Sequence, residues 1–175
     1  MVDVDGGLEA YAEALDAGHV DPQRGLPNAV FDFALQITPM INVDLLVCDG
    51  AKRMLWAWRD DAFGTGWHIP GGIIRRREPW ATRIAEVARL ELGTTVVAED
   101  QPCHVVQLLD GERGHFISLL FRCRLTGSLH PPRGFLPPES RPEPEQLAWF
   151  DRVPDPLYSS HEIYRDWITR EAGRA

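Results

Sequence analysis

The chain has 175 residues, 44% hydrophobic and 25% charged, with a formal charge of −8 and a pI near 5.2. That length suits one domain with a full core. The acidic balance argues against nucleic acid as a general partner, because no net positive field would hold a phosphate backbone, and no run approaches the roughly twenty apolar residues of a membrane span. The N-terminal stretch lacks an apolar signal core. Cys48, Cys103 and Cys123 show no CxxC spacing and each lies in or beside an apolar run, so buried free thiols in a cytoplasmic protein are expected.

In chain order, residues 8–17 read as a short amphipathic helix stopped by Gly18. Pro22, Gly25 and Pro27 make a connector, and Asn28 is placed to cap a second helix in which Val30, Phe31, Ala34 and Leu35 recur at helical spacing. Residues 1–38 therefore read as a helical extension, a packing element or dimer arm, ahead of one compact unit over 39–175. Ile41–Cys48 is apolar and β-branched, interrupted by Asn42 and Asp44, and reads as a central strand. Asp49-Gly50 signals a turn, Met54–Trp58 its hairpin partner, and residues 59–66 a loop. Trp67–Ile69 leads into Pro70-Gly71-Gly72, where the backbone can turn sharply and approach a ligand closely.

From Glu78 the pattern turns helical. At about 100° per residue, Glu78, Thr82, Arg83, Glu86 and Arg89 share one side, and Trp80, Ile84, Val87, Ala88 and Leu92 the other. Glu91 falls inside the apolar arc, and Gly93 supplies the stop. A carboxylate aimed at a core is costly unless a cation or donors meet it; either a divalent metal answers Glu91, or its side chain bends out to water. Val96-Val97, Val105–Leu109 and Phe116–Leu125 read as strands, residues 126–144 as a proline-rich loop, Leu147–Phe150 as a short strand, and the stretch after Ser159-Ser160 as a closing helix with Ile163, Tyr164, Trp167 and Ile168 at helical spacing. Strands mixed with one central and one terminal helix give an α/β class.

Gly72, five residues, Glu78, and later Glu91-Leu92-Gly93 resemble the Nudix box, the loop–helix motif of Nudix hydrolases. The match departs from the family pattern at Glu86, Val87 and Leu90, which stand where the family has Arg, Glu and Glu. This degenerate box is similar to that of the GDP-mannose mannosyl hydrolase branch. The resemblance spans roughly residues 38–170 and implies an α/β/α sandwich with a mixed sheet, here with extra N-terminal helices. It also implies Mg²⁺ (with Mn²⁺ as a substitute), a nucleoside diphosphate derivative as substrate, and a homodimer.

Carried over residue by residue, the resemblance implies a metal held by Glu91, the Gly71 carbonyl and Glu143, the last standing where the branch has Gln. The branch's loop His falls at Pro144, so Glu145, or water activated at the metal, takes the role of base. Arg59 would meet the diphosphate and Asp44 the sugar and leaving group, with Phe116 standing where the branch has Tyr; Trp67, read on its own as an aromatic at a strand end, is a candidate to stack on a base or sugar. Each has a plainer alternative: Glu143 and Glu145 as a solvated loop, Arg59 paired with Asp60 or Asp61, Asp44 in a structural pair, Trp67 in packing. Arg75, Arg76, Arg77, His68 and His115 are weaker candidates. The resulting expectation is a Mg²⁺-dependent Nudix hydrolase acting on a nucleoside-diphosphate sugar, GDP-mannose-like, or a related nucleoside diphosphate derivative. The alternative is a Nudix-fold ligand-binding or sensing protein with weak or no turnover, supported by the missing box carboxylates.

Overall fold

Strand β1 (Met40–Val47) divides the core by its period of two. Val43, Leu45 and Val47 point to one face, and Asp44 and Leu46 to the other. The computed structural model describes residues 7–18, 25–111 and 114–172. Two helices come first, α1 (Gly7–Asp16) and α2 (Asn28–Ile37). After β1 follow β2 (Met54–Asp61), β3 (Gly64–His68) and β4 (Gly71–Ile73), then helix α3 (Trp80–Val87) continuing into a π-helical turn, Ala88–Leu92. Strands β5 (Val96–Ala98), β6 (His104–Gly111), β7 (Gly114–Leu125) and β8 (Leu147–Phe150) precede a 3₁₀ turn, Ser159–Tyr164, and helix α4 (Arg165–Ala172).

A mixed five-stranded sheet runs β4-β1-β7-β5, with β6 also on β7; β1 and β7 are parallel and the other pairs antiparallel. A smaller antiparallel sheet runs β3-β2-β8. One face of β1 packs with Leu55, Phe121 and, from the α3 side, Ile84, Val87 and Leu92. The other packs with Trp56, Ile69, Leu120 and, from the C-terminal end, Tyr164 and Ile168. Helices thus cover both sides of the strands, as the α/β/α reading expects. Fully burying side chains such as Leu45, Phe121 and Ile168 stabilises the fold by roughly 1.5–3 kcal/mol each.

Four local expectations change. β2 is not the hairpin partner of β1: beyond one Cys48–Met54 bridge it crosses to the second sheet, where β3 and β8 take its two edges. Its tip is also tighter than the expected loop. The strands continue to Asp61 and resume at Gly64, so Arg59 sits on a strand, opposite Gly66. Gly66 has φ of 153°, and a Cβ there would collide with the backbone of Leu157 and Tyr158. Asn28 is the first residue of α2 and not its cap; Pro27 holds that position with extended backbone, and no side-chain cap bond forms. The closing segment is not one helix, since its first six residues wind as 3₁₀ before α4 begins. Cys48, Cys103 and Cys123 are free thiols, the last fully buried. No helix of the described residues is long and apolar enough to cross a membrane.

Candidate active site

The turn after β3 brings Gly71 against Asp44. The two are register partners across β4 and β1, and a Cβ at Gly71 would overlap the Asp44 Oδ1 atom and crowd the Val43 carbonyl. Only glycine permits that approach. Asp44 is 2% exposed and fully bonded: the Tyr164 hydroxyl donates to Oδ2 at 2.5 Å, Asn42 Nδ2 donates to Oδ1 at 2.6 Å, and Ser118 bonds from the neighbouring strand. Asn42 and Ser118 are themselves register partners across β1 and β7. Burial pushes the Asp44 carboxyl up to about 7 against these donors and the Arg59 charge.

Glu91 approaches from the other side. Its orientation comes from the π-helical turn, in which Gly93 N–H bonds to the Ala88 carbonyl and Gly93 then takes the left-handed conformation at φ 61°. The wide turn seats Leu92 fully in the core and leaves Glu91, a third exposed, aimed at the Gly71 N–H and at His68, whose Nε2 lies 3.9 Å from Glu91 Oε2. Desolvation pushes the Glu91 carboxyl up to about 8; Arg59 and the Gly71 N–H oppose that shift, and Asp44 and Glu145 add to it. At 100° per residue the side chain would have entered the core, so the misplaced acid in the sequence is the trace of this wider turn.

Arg59 is the cation common to both acids. Its guanidinium lies over the Tyr158 ring, 5.2 Å from the centroid, with Nε 3.8 Å from Asp61 Oδ2, and its charge bears on Asp44, Glu91 and His161. Tyr158 is held by its hydroxyl, which donates to Asp61 at 2.8 Å. His161 is 8% exposed, and its Nδ1 accepts the Ile69 N–H at 3.3 Å. Its ring stands 5.6 Å from that of His68 and 5.7 Å from that of Tyr164.

These groups wall a cavity of about 580 Å³, whose polar lining includes Asp44, Arg59, His68, Arg75, Arg76, His161 and Tyr164. Leu26, Phe31, Met40, Ile73, Leu108 and Phe116 contribute apolar lining. The N-terminal helices, expected only to pack or to mediate dimerisation, thus contribute walls through Leu15 and Phe31. Of the residues singled out from sequence, Asp44, Arg59, Gly71 and Phe116 meet here, as do the weaker candidates His68, Arg75 and Arg76, with Glu91 facing Gly71. Trp67 is 4% exposed in the core, edge-on to Trp58 and Phe150 at 5.2 and 4.9 Å. Glu143 and Glu145 are exposed on the loop before β8; Glu143 N–H bonds the Gln146 side chain, and Glu145 pairs with Arg133 at 3.4 Å.

The sequence reading missed Tyr158, His161 and Tyr164. They recur every three residues, the period of a 3₁₀ turn, in which i and i+3 eclipse and present one face. The 3.6 period picks out Tyr164 only as a packing position of a closing helix and leaves Tyr158 and His161 unmarked.

Glu78 has a different task. Arg83 binds it in a fork, Nε to Oε2 and the second nitrogen to Oε1, both at 2.9 Å, and Arg75 N–H bonds the same Oε2 at 2.9 Å. Both side chains are under a tenth exposed, so the pair clamps the loop after β4 onto α3. Removing one partner strands a buried charge. Glu78→Ala should cost about 3–5 kcal/mol in denaturant unfolding, whereas Glu86→Ala, which breaks only the exposed pair with Arg89, should leave the midpoint in place.

His161 carries a pH dependence. Burial, then the Arg59 charge, depress its imidazole to about 3. The unfolded chain binds a proton near pH 6.5 and the folded chain does not, so this group's contribution is present above that pH and falls as pH falls toward 3. Asp44 and Glu91 act with the opposite sign, so the difference between wild type and His161→Asn isolates the effect. Between pH 7 and 5 the wild type should lose roughly 2 kcal/mol relative to that variant; parallel stability curves would refute it.

Comparison with solved structures agrees with the geometry. The chain is similar to a MutT Nudix hydrolase from Burkholderia pseudomallei, at 21% identity and TM-score 0.54, covering 77% of this chain and 95% of that one. It is similar to a MutT protein from Methanosarcina mazei Go1 at 17% identity and TM-score 0.58, covering 79% and 96%. A UDP-X diphosphatase aligns at 14% identity and TM-score 0.58 over 95% of this chain and 78% of its own. No family model and no curated protein matches the sequence. The fold is the Nudix fold.

Proposed function

We propose that the protein is a hydrolase of a nucleoside diphosphate derivative, GDP-mannose-like nucleotide sugars being the first class to test. The observation that carries this reading is that two desolvated carboxyls, buried Asp44 and partly buried Glu91, both feel the charge of Arg59 beside the glycine turn of a Nudix fold. Burial raises both carboxyls despite the Arg59 charge, so a bound cation would favour their ionised forms.

Mg²⁺ is commonly held by one or two carboxylates, with water and substrate phosphate in its remaining positions. Glu91 meets that demand, and with the Gly71 main chain would hold the ion; Glu143 is the third ligand that the resemblance implies. Among the described residues no three His, Cys, Asp or Glu side chains converge at ligating spacing, so substrate phosphate would complete the set. When bound, the ion neutralises the diphosphate and polarises the bond that breaks. Arg59 donates paired hydrogen bonds to phosphate oxygens. Asp44, held by Tyr164, Asn42 and Ser118, orients the sugar or leaving group. Glu145, whose charge reaches Glu91, takes up the proton of the attacking water. Phe116 offers an apolar wall to the base or sugar.

The lack of a third clustered ligand among the described residues also favours a second reading, a sensor that binds such ligands without turning them over. Incubation with Mg²⁺ or Mn²⁺ and a panel of nucleoside diphosphate derivatives separates the two: released sugar or phosphate supports the hydrolase, while tight binding without product supports the sensor. Homodimerisation and a cytoplasmic setting belong to the same proposal and are read by sedimentation and by fractionation.

A further inference from the structure

We propose that His161 works as a neutral hydrogen-bond donor, presenting Nε2–H to a phosphoryl oxygen of the ligand in the cavity beside Arg59. This rests on the diphosphate reading of the site and adds a residue that the Nudix-box resemblance does not contain. The argument starts from the ring's own inventory. A neutral imidazole has one N–H donor and one acceptor nitrogen. Nδ1 is the acceptor here, because the main-chain N–H of Ile69, which can only donate, points at it from 3.3 Å. The proton must therefore sit on Nε2. The ring lines the cavity, and among the described residues its one hydrogen bond is through Nδ1, which leaves the Nε2 donor for whatever the cavity holds.

The surroundings keep the ring neutral. Arg59 from β2 sets a positive charge near it; His68 from β3, Tyr158 and Tyr164 pack around it; and Tyr164 already spends its hydroxyl on Asp44. An imidazolium here would be drawn to Asp44 or Glu91 and lost to the ligand, whereas a neutral N–H next to a fixed guanidinium adds a directed donor without a competing ion pair. The tautomer also excludes His161 as the base that accepts a proton at Nε2. It stabilises charge on the phosphoryl group, and proton uptake must occur elsewhere.

The test has two parts. In protein labelled with ¹⁵N-histidine, His161 should show the Nε2–H tautomer from pH 8 down to pH 5, and its Nε2–H resonance should shift when inorganic pyrophosphate with Mg²⁺ is added. An Nδ1–H tautomer, protonation with a midpoint near 6.5, or no shift with pyrophosphate overturns the proposal. Second, pyrophosphate affinity is measured for two variants. His161→Asn keeps an acceptor for Ile69 N–H and lacks the distal donor, so affinity should fall about tenfold or more. His161→Gln restores an N–H at the Nε2 position and should stay within about threefold of wild type. Equal losses in both, or none in either, also overturn it. Absence of turnover across the substrate panel would instead count against the hydrolase reading alone, because neither part of this test requires turnover.

Discussion

Replacing Gly71 with alanine is expected to unseat Asp44 and remove activity with it. The new Cβ would overlap Asp44 Oδ1 and press on the Val43 carbonyl, and neither neighbour can yield. Asp44 is held by Tyr164, Asn42 and Ser118, and Val43 is fully buried in the middle strand. Overpacking at such a point costs about 1–3 kcal/mol. The catalytic loss should be larger, on the order of 100-fold, because a displacement of about 1 Å is enough for that. Gly72→Ala is the contrast: its Cβ would meet the Val87 Cγ2 at 3.0 Å and the Arg83 Cδ at 3.3 Å, the ends of side chains. Thermal melts and steady-state rates on both variants decide the matter. A Gly71→Ala protein as active as wild type would mean that Asp44 has no part in the chemistry.

Glu91→Gln isolates charge from shape. The amide keeps an acceptor for the Gly71 N–H and removes the carboxylate that faces Arg59 and would meet the metal. Hydrolysis of the best substrate on the panel should fall on the order of 100-fold or more, and the stabilising effect of Mg²⁺ on the melting temperature should vanish. The fold itself should not suffer, since burial already disfavours the charged form of this side chain. A melting temperature at or above wild type with the rate gone is the expected pair of results. Retained turnover would assign the metal, if one acts, to other ligands. Hydrolysis in ¹⁸O-water then separates attack at carbon from attack at phosphorus by which product carries the label.

The strands show how far local pattern reaches. β1 was legible because Ile41–Cys48 is an apolar, β-branched run interrupted only by Asn42 and Asp44, and Val43 to Val47 are all buried. The partner of β2 was not legible. A turn signal says that the chain reverses, not which sheet receives the returning strand, and β8, about ninety residues later, completes the second sheet. Glu91 was legible as an anomaly on the wheel, while its resolution through a π-helical turn depends on Leu92 competing for the core.

The cavity divides the same way. Gly71, Asp44, Arg59 and Glu91 carry local signals: a glycine pair, an acid in a strand, a cation at a strand end, an acid in an apolar arc. His161 lies off the helical spacing, Tyr164 reads there only as one more apolar position of a closing helix, and both lie about 120 residues from Asn42 and Asp44 in the chain. What the amino-acid order alone determined was the β1 strand, the glycine turn, the box helix and an acid in need of a partner, all consequences of side-chain period and backbone freedom over a few residues. What tertiary structure decided was which groups share the cavity. That depends on packing a 3₁₀ turn from one end of the chain against strands from the other, and the period within each segment does not say which segment it will meet.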